Sequence, residues 1–512
     1  MGSIVPNPVR STNRPDTLSS FTEPTDRPTG GGPAVPRRTR PAPVSALSPV
    51  REGRPKTATL AVTATATAVA LMNYTAPMPT LPAVAAAFGT PPSAQAWLLN
   101  GTPLGLAAFL LVAGGLADAY GRRRVFLLGT LALGLTTALG ALAGSTSAFT
   151  AARIAQGAAS AAVLAGSLGL LAHAYPTGRH RIRATGLWGA SVSGGIALGP
   201  LLAGALSPVD WRLAYGVLGA GALATATAGA GARWLPGAGR AAVTKTSGAG
   251  APHPAPCLAP PPAPRPDVVG ALTLGLALAA LLTALTLGRD GWLRAPVGAL
   301  LLASAALTAL FAAVEARSGN PMIDLALLRR PAFLASTLGA LFTGLAVIGL
   351  FSVVPTLLQV GAGMSPLGTA WLFLLWSGTA FVAALQARRL AARLSAARQL
   401  ALGFALSAAG VLTFLGALEN HAGAWRLFPG LLVAGAGSGL LNAALPRLAV
   451  DSVPPERAAM GSGANNTARY IGSSAGVSLT LALATAGPDA ALVASAALAV
   501  TGAVLALVLA RR

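Results

Sequence analysis

The sequence predicts an all-α membrane protein with fourteen transmembrane helices. Three observations support this prediction: the composition, a series of long apolar segments, and the placement of the basic residues. Of the 512 residues, 54% are hydrophobic and only 10% are charged, and the mean hydropathy is +0.64. Soluble multidomain proteins of this length carry more charge and a smaller apolar fraction.

Apolar segments recur from Thr57 to the end of the chain, and each is long enough to cross about 30 Å of hydrocarbon as a helix. The predicted spans are 58–80, 96–117, 125–144, 149–172, 184–206, 212–232, 268–288, 295–315, 333–355, 369–386, 399–418, 427–449, 465–485 and 489–510.

The basic residues predict the orientation of these spans. When the N-terminus is placed in the cytoplasm, the outer loops contain only Arg212, Arg289, Arg294 and Arg426 of the 36 Lys and Arg residues. This asymmetry predicts that both termini are cytoplasmic. It also explains the net charge of +22 without a nucleic-acid partner, because the clusters lie in loops and form no basic face.

Three further features bound the organisation and the chemistry. Residues 1–56, rich in Pro, Ser, Thr and Arg, are predicted to be a disordered cytoplasmic tail or, alternatively, a membrane-surface or partner-binding arm. The Pro/Gly-rich stretch 236–267 is predicted to be a cytoplasmic linker. The single Cys257, with no metal-ligand cluster and no phosphate loop, argues against an enzyme, a metal site or a cofactor.

One loop combines a carboxylate, a turn glycine and three arginines at residues 114–125. It resembles the signature loop of the major facilitator superfamily, G-x-L-A-D-x-x-G-R-(R/K). The matching residues are Gly114, Leu116, Ala117, Asp118, Gly121, Arg122 and Arg123. The resemblance implies a gating latch that holds two halves of a transporter together, with Gly121 reversing the chain at positive φ. The alternative is a plain basic loop that only sets the topology.

The resemblance extends over residues 57–510 to the fourteen-helix drug:proton antiporter branch of that superfamily. It implies six-helix halves at 57–235 and 333–512, and an inserted helix pair with its following loop at 268–332. It further implies a monomer in the lipid bilayer that exports small organic molecules by alternating access, with protons as the coupling ion.

Two helices carry further matches. Arg153, Gln156 and Gly157 are similar to the family motif R-x-x-Q-G, and an intramembrane arginine requires a wet cavity or a polar partner. The alternative is an arginine that snorkels to the headgroups. The run around Gly195, Gly199, Pro200 and Gly204 is similar to the antiporter motif, or is alternatively small-residue packing alone.

Helix 1 departs from the family pattern, because Asn73 stands where the branch carries an Asp. No acidic residue is predicted near the bilayer midplane, so the usual proton carrier is missing. Helix position alone gives a set of cavity candidates: Asn73, Tyr74, Asn100, Gln359, Trp376, Asn442 and Arg469. Two other functions stay open, which are a facilitator or importer of an anionic solute, and a transport-dead sensor or assembly protein.

Overall fold

The computed structural model describes residues 53–175, 178–231, 268–288, 291, 293–317, 325–391, 393–418, 423–454 and 458–510. Within these ranges every regular element is helical, and there are sixteen α-helices. The all-α class predicted from the sequence is therefore confirmed. The predicted linker 236–267 and most of the predicted tail lie outside the described ranges. The tail boundary is corrected, because α1 begins at Gly53 and residues 53–56 are helical.

The first part of the chain forms seven helices. They are α1 (Gly53–Thr75), α2 (Pro77–Phe88), α3 (Gln95–Tyr120), α4 (Arg122–Ala141), α5 (Thr146–Ala174), α6 (Gly178–Leu206) and α7 (Trp211–Gly231). A pair of helices follows, α8 (Val268–Leu287) and α9 (Ala295–Arg317).

The last part forms seven more helices. They are α10 (Pro331–Phe342), α11 (Gly349–Ala362), α12 (Pro366–Ala391), α13 (Ala396–Leu412), α14 (Phe428–Asp451), α15 (Ala458–Ala484) and α16 (Pro488–Leu509). Short 3₁₀ turns occur at Pro92–Ala94, Leu325–Arg329 and Ala424–Leu427.

Two predicted spans differ from the observed helices in more than their end points. The predicted span 58–80 is two helices, α1 and α2, which meet at Ala76, because Pro77 has no N–H and ends the hydrogen-bond ladder of α1. The observed helix at the predicted span 333–355 is longer than predicted. There α10 and α11 are joined through a π-helical segment, Thr343–Ile348, into one apolar run of 32 residues.

The helices pack as two sets with the α8–α9 pair beside them. In the first set α3 and α4 pack on α5, and α1 packs on α6. In the second set α12 and α13 pack on α14, and α16 packs on α13. The sets meet where α3 contacts α15, α6 contacts α12, and α2 contacts α11. Helix α8 contacts both α3 and α15, so it touches both sets.

The lengths and the composition of the helices are those of a multi-pass membrane protein. In the described chain, ten helical runs are long and apolar enough to cross a bilayer, and three shorter apolar helices accompany them: Pro77–Phe88, Leu272–Leu287 and Ala396–Leu412. Large apolar side chains also remain on the outside of the bundle, including Leu128, Leu302 and Leu142, which are 66%, 74% and 80% exposed. Such an outer surface suits hydrocarbon as its solvent.

Candidate functional site

A cavity lies where the two helix sets meet. The empty space inside it, including the part open to solvent, is about 780 Å³. Its walls come from α1, α2 and α6 of the first set and from the π segment, α11, α12, α14 and α15 of the second. A site between two packed sets of helices is a common place for a small-molecule ligand.

The walls of this cavity are strongly aromatic. The rings of Phe351 and Trp376 are stacked, with centroids 4.3 Å apart and planes at 9°. Phe373 lies beside them, 5.2 Å from Trp376. Across the cavity, Tyr74 and Tyr470 meet edge to face at 5.9 Å. These rings present flat apolar surfaces to whatever occupies the space.

The polar lining is small and contains one full positive charge. Arg469 donates from Nη1 to the amide oxygen of Asn442 at 3.1 Å, and its guanidinium lies 6.0 Å from the Tyr470 ring centre. Within the described residues, the buried Arg469 Nε and the buried indole Nε1 of Trp376 have no hydrogen-bond partner. The hydroxyl groups of Tyr74 and Ser473 are 3.0 Å apart and link α1 to α15. No Asp or Glu occurs among the described residues that line the cavity.

Four of the seven cavity candidates, Tyr74, Trp376, Asn442 and Arg469, therefore line this space. The other three do not, and their amide groups donate to other helices elsewhere in the bundle. Asn73 donates from Nδ2 to Thr137 Oγ1 at 2.9 Å. Asn100 donates to Ser478 Oγ at 2.9 Å and to Thr286 Oγ1 at 3.3 Å, which joins α3, α15 and α8.

Gln359 instead helps to close the end of the bundle that is opposite Gly121. Its amide donates to the carbonyl of Pro79 at 2.8 Å, so α11 is tied to α2. At the same end, Gly204 of α6 packs so tightly against α12 that an added Cβ would lie 2.8 Å from the carbonyl oxygen of Pro366.

Arg153 is fully buried in α5, so snorkelling does not describe it, and it is not among the residues that line the cavity. Its Nη1 donates to the carbonyl of Asn73 at 2.7 Å and its Nη2 to the carbonyl of Tyr74 at 3.4 Å. The carbonyl of Asn73 is available because Pro77, four residues later, has no N–H to donate. The buried arginine thus donates to the carbonyl that the break in helix 1 leaves without a helical donor.

Gln156 and Gly157 support this arrangement. Gln156 accepts from Arg153 Nη1 at 2.7 Å and donates to the carbonyl of Thr136 at 3.1 Å, so the amide orients the guanidinium. Gly157 lets α5 touch α3, because a Cβ there would collide with the backbone of Thr102 and Gly105. The matched motif residues therefore act at the contacts of α5 with α1, α4 and α3.

The signature loop is the turn between α3 and α4. Gly121 adopts φ +99°, as the sequence predicted, and a side chain there would be strained. Arg122 donates to the carbonyl of Gly169 at 3.1 Å, and Arg123 to that of Ala230 at 3.5 Å. Both acceptors lie near the C-terminal ends of helices, where cations are favoured. Gly114 and Asp118 lie in the last two turns of α3, and the Asp118 side chain is outside the described part of the molecule.

The glycines of α6 form its contact with α1. A Cβ at Gly195 would collide with the carbonyl of Ala68, and one at Gly199 with the hydroxyl of Thr75. Pro200 lies inside the helix one residue later. The close approach that small residues permit is present here, in line with the packing interpretation of this motif.

Some residues of this site gave no signal in the sequence. Phe351 and Ser438 line the cavity but lie in apolar runs without a recognisable motif. Tyr215, fully buried, places its ring 5.9 Å from the Arg153 guanidinium.

Comparisons with known proteins agree with this architecture. A family model described as Major Facilitator Superfamily matches residues 63–477. The multidrug resistance protein Stp of Mycobacterium tuberculosis (strain CDC 1551 / Oshkosh) is 30% identical over 401 residues, which is 77% of this chain and 70% of that protein. A probable actinorhodin transporter of Streptomyces coelicolor is 30% identical over 418 residues, covering 78% of this chain and 67% of that protein.

A methylenomycin A resistance protein of Streptomyces coelicolor is also similar, at 28% identity over 385 residues, which is 74% of this chain and 76% of that protein. Among solved structures, a POT family transporter in complex with a thioalcohol-conjugated peptide superimposes with a TM-score of 0.64. The match covers 88% of this chain and 96% of that one at 12% identity, so it bears on the fold alone.

Proposed function

Since this chain belongs to the major facilitator superfamily and is a membrane transporter, not an enzyme, we propose that it exports small organic molecules from a bacterial cell. The observation that supports this most strongly is the aromatic cavity between the two helix sets, because apolar and aromatic walls with a few polar groups are typical of sites that bind small organic molecules. The similar proteins include a multidrug resistance protein and a probable antibiotic transporter, which suggests drugs, antibiotics or related metabolites as cargo.

The proposed mechanism is alternating access. The sixteen helices make fourteen continuous runs when α1 joins α2 and α10 joins α11, so fourteen crossings with both termini in the cytoplasm are consistent with the fold. The sets α1–α7 and α10–α16 are the proposed rocking halves, and α8–α9 the inserted pair. At the end opposite Gly121 the halves are held by Gln359 and Pro79. Opening there would require that hydrogen bond to break.

Asp118 is proposed as part of the latch at the Gly121 end. The arginines of the same loop hold the turn against α5 and α7 through the carbonyls of Gly169 and Ala230. The loop is therefore anchored within the first half. In the proposed latch, the Asp118 carboxylate would supply the contact with the second half. We assign Arg153 a positioning role, because it fixes the break of helix 1 beside the cavity residue Tyr74.

A susceptibility screen tests the export function. The protein is expressed in a bacterium that lacks its own major efflux pumps, and growth inhibition by a panel of antibiotics and dyes is compared with that of cells expressing a Trp376→Ala variant and with empty-vector cells. We expect the wild-type protein to raise the inhibitory concentration of at least one compound about fourfold or more. Equal sensitivity of all three strains, with the wild-type protein present in the membrane, would contradict the proposal.

The positive charge in the cavity favours one alternative, a facilitator or importer of an anionic solute. Direction decides between the two. The purified protein is reconstituted, and net flux is measured at equal concentrations with imposed membrane potentials of either sign. An exporter should move the anion out of the compartment that is negative inside. An importer should instead accumulate the anion in that compartment.

A further inference from the structure

The charged and polar groups of the cavity lack an acidic counterpart. Arg469 is the one lining residue of the described chain with a full charge, and its side-chain partner there is the neutral amide of Asn442. A guanidinium carries five N–H donors in a planar fork. One of them reaches Asn442 Oδ1, and the buried Nε has no acceptor in the described structure. The cavity therefore presents unused donors on a cation.

A second unused donor lies in the aromatic wall. Trp376 is 6% exposed, it stacks on Phe351, and its buried Nε1 has no acceptor among the described residues. Buried Trp N–H groups usually have a partner. A ligand with an acceptor oxygen would satisfy this donor, while its flat apolar part would lie along the rings of Phe351, Phe373 and Tyr470.

The surroundings of the cavity increase the positive potential. The guanidinium of Arg153 lies behind Tyr74, where it donates to backbone carbonyls and to the Gln156 amide oxygen, and no carboxylate is among these hydrogen-bond acceptors. In a medium of low dielectric constant, charges interact strongly over the distance between neighbouring helices. A cationic drug in the cavity would be repelled by both arginines, whereas an anion would supply the missing negative charge.

We propose that the cavity selects planar aromatic anions, with Arg469 binding the anionic oxygens and the Phe351–Trp376 stack binding the ring system. This inference rests on the export function proposed above and names its substrate class. A carboxylate or a phenolate on fused aromatic rings has the required chemistry. The planar fork of Arg469 suits a carboxylate, because two parallel N–H···O bonds can form.

Binding of three compounds that share one ring system tests this directly. The full-length protein in lipid nanodiscs is titrated with anthracene-9-carboxylate, anthracene-9-carboxamide and 9-anthracenylmethylammonium, and anthracene fluorescence anisotropy gives each Kd at pH 7.5. Hydrogen bonds to a charged group are stronger than hydrogen bonds between neutral groups. We expect the carboxylate to bind about tenfold or more tightly than the carboxamide, and the ammonium compound to bind most weakly.

Two variants assign the preference to Arg469. Arg469→Gln should weaken carboxylate binding about tenfold or more and change carboxamide binding by less than about threefold, whereas Arg469→Lys should retain part of the preference. The matched control is Arg447→Gln on α14, since Arg447 is half exposed and pairs with Asp451 at 3.7 Å, away from the cavity. This control should leave all three affinities unchanged.

The wild-type measurements alone can overturn the proposal, even if a variant does not fold. Equal affinity for the three compounds, tighter binding of the ammonium compound, or no binding of any of them would each refute the substrate class. The export function is judged separately by the susceptibility screen. A protein that protects cells against cationic or neutral drugs, yet shows no preference for the carboxylate, would retain the export function and lose this inference.

Discussion

Arg153 and Pro77 are expected to be energetically coupled, although they lie on different helices. Pro77 cannot donate to the carbonyl of Asn73, and Arg153 Nη1 donates to it instead at 2.7 Å. Pro77→Ala would add the missing N–H within helix 1. In the Arg153→Met background this N–H would rescue a buried carbonyl that has no donor. In the wild-type background it would compete with the guanidinium, so the effects of the two substitutions cannot simply add.

The size of the coupling follows from the groups involved. A buried carbonyl left without a donor costs about 1–3 kcal/mol. Hydrogen bonds between helices in a membrane protein average about 0.6 kcal/mol by double-mutant cycles, with a maximum of about 1.7 kcal/mol. Both substitutions act on a single acceptor, the carbonyl of Asn73, so we expect a coupling free energy of about 1 kcal/mol. That exceeds the error of about 0.3–0.5 kcal/mol within which independent sites add.

The assay is equilibrium unfolding in mixed dodecylmaltoside and SDS micelles, followed by tryptophan fluorescence and circular dichroism for the wild type, both single variants and the double variant. The matched control cycle uses Pro82→Ala, because Pro82 frees the carbonyl of Met78, which is not an acceptor of Arg153 in the described chain. The control cycle should be additive. If the changes in the free energy of unfolding were also additive in the Pro77 cycle, Arg153 would not stabilise the carbonyl that the break in helix 1 leaves without a helical donor.

Three further predictions concern gating, packing and coupling. Asp118→Asn should reduce export about tenfold or more at unchanged membrane abundance, measured by fluorescent-substrate efflux, and normal efflux would remove the latch role. Gly157→Ala should destabilise the protein by about 1–3 kcal/mol, because its Cβ would collide with the Thr102 carbonyl, whereas Gly216→Ala, with open space around it, should be neutral in the same unfolding assay. Wild-type flux in proteoliposomes should depend only weakly on a pH gradient, and Asn73→Asp should increase that dependence. The expectation would be contradicted if a protonophore abolished wild-type export at a clamped membrane potential and if Asn73→Asp left the dependence on the pH gradient unchanged.

Local signals in the sequence were sufficient for several features of the fold. Gly121 has positive φ because a short turn between helices requires it, and the motif placed it correctly. The all-helical class followed from segment length and composition. Pro77 leaves the carbonyl of Asn73 without a helical donor, but the residue that donates to it, Arg153, lies 80 positions later in the chain. Nothing local in either segment identifies that partner.

The cavity lining was harder to predict, and Asn73, Asn100 and Gln359 show why. In a soluble helix the polar face identifies the solvent side, but a helix in a bilayer is apolar both toward lipid and toward its neighbours. The faces of α1 and α3 are therefore not distinguished by hydropathy. Polar residues in the helices were expected to line the cavity, whereas these three donate from their amide nitrogens to other helices.

The missing carboxylate of helix 1 and the positive cavity have a common explanation if the exported molecule is an anion. An exporter of neutral or cationic molecules needs a proton carrier to do work against a gradient, and Asn73 cannot be one. An anion that leaves a cell with a negative interior moves down the membrane potential. That movement releases about 2.3 kcal/mol per charge at 100 mV, enough for a concentration ratio of about fortyfold. The substrate anion would then neutralise Arg469 in place of an acidic side chain of the protein. Arg153 does not need to bind the substrate, and it donates hydrogen bonds to the backbone carbonyls of helix 1.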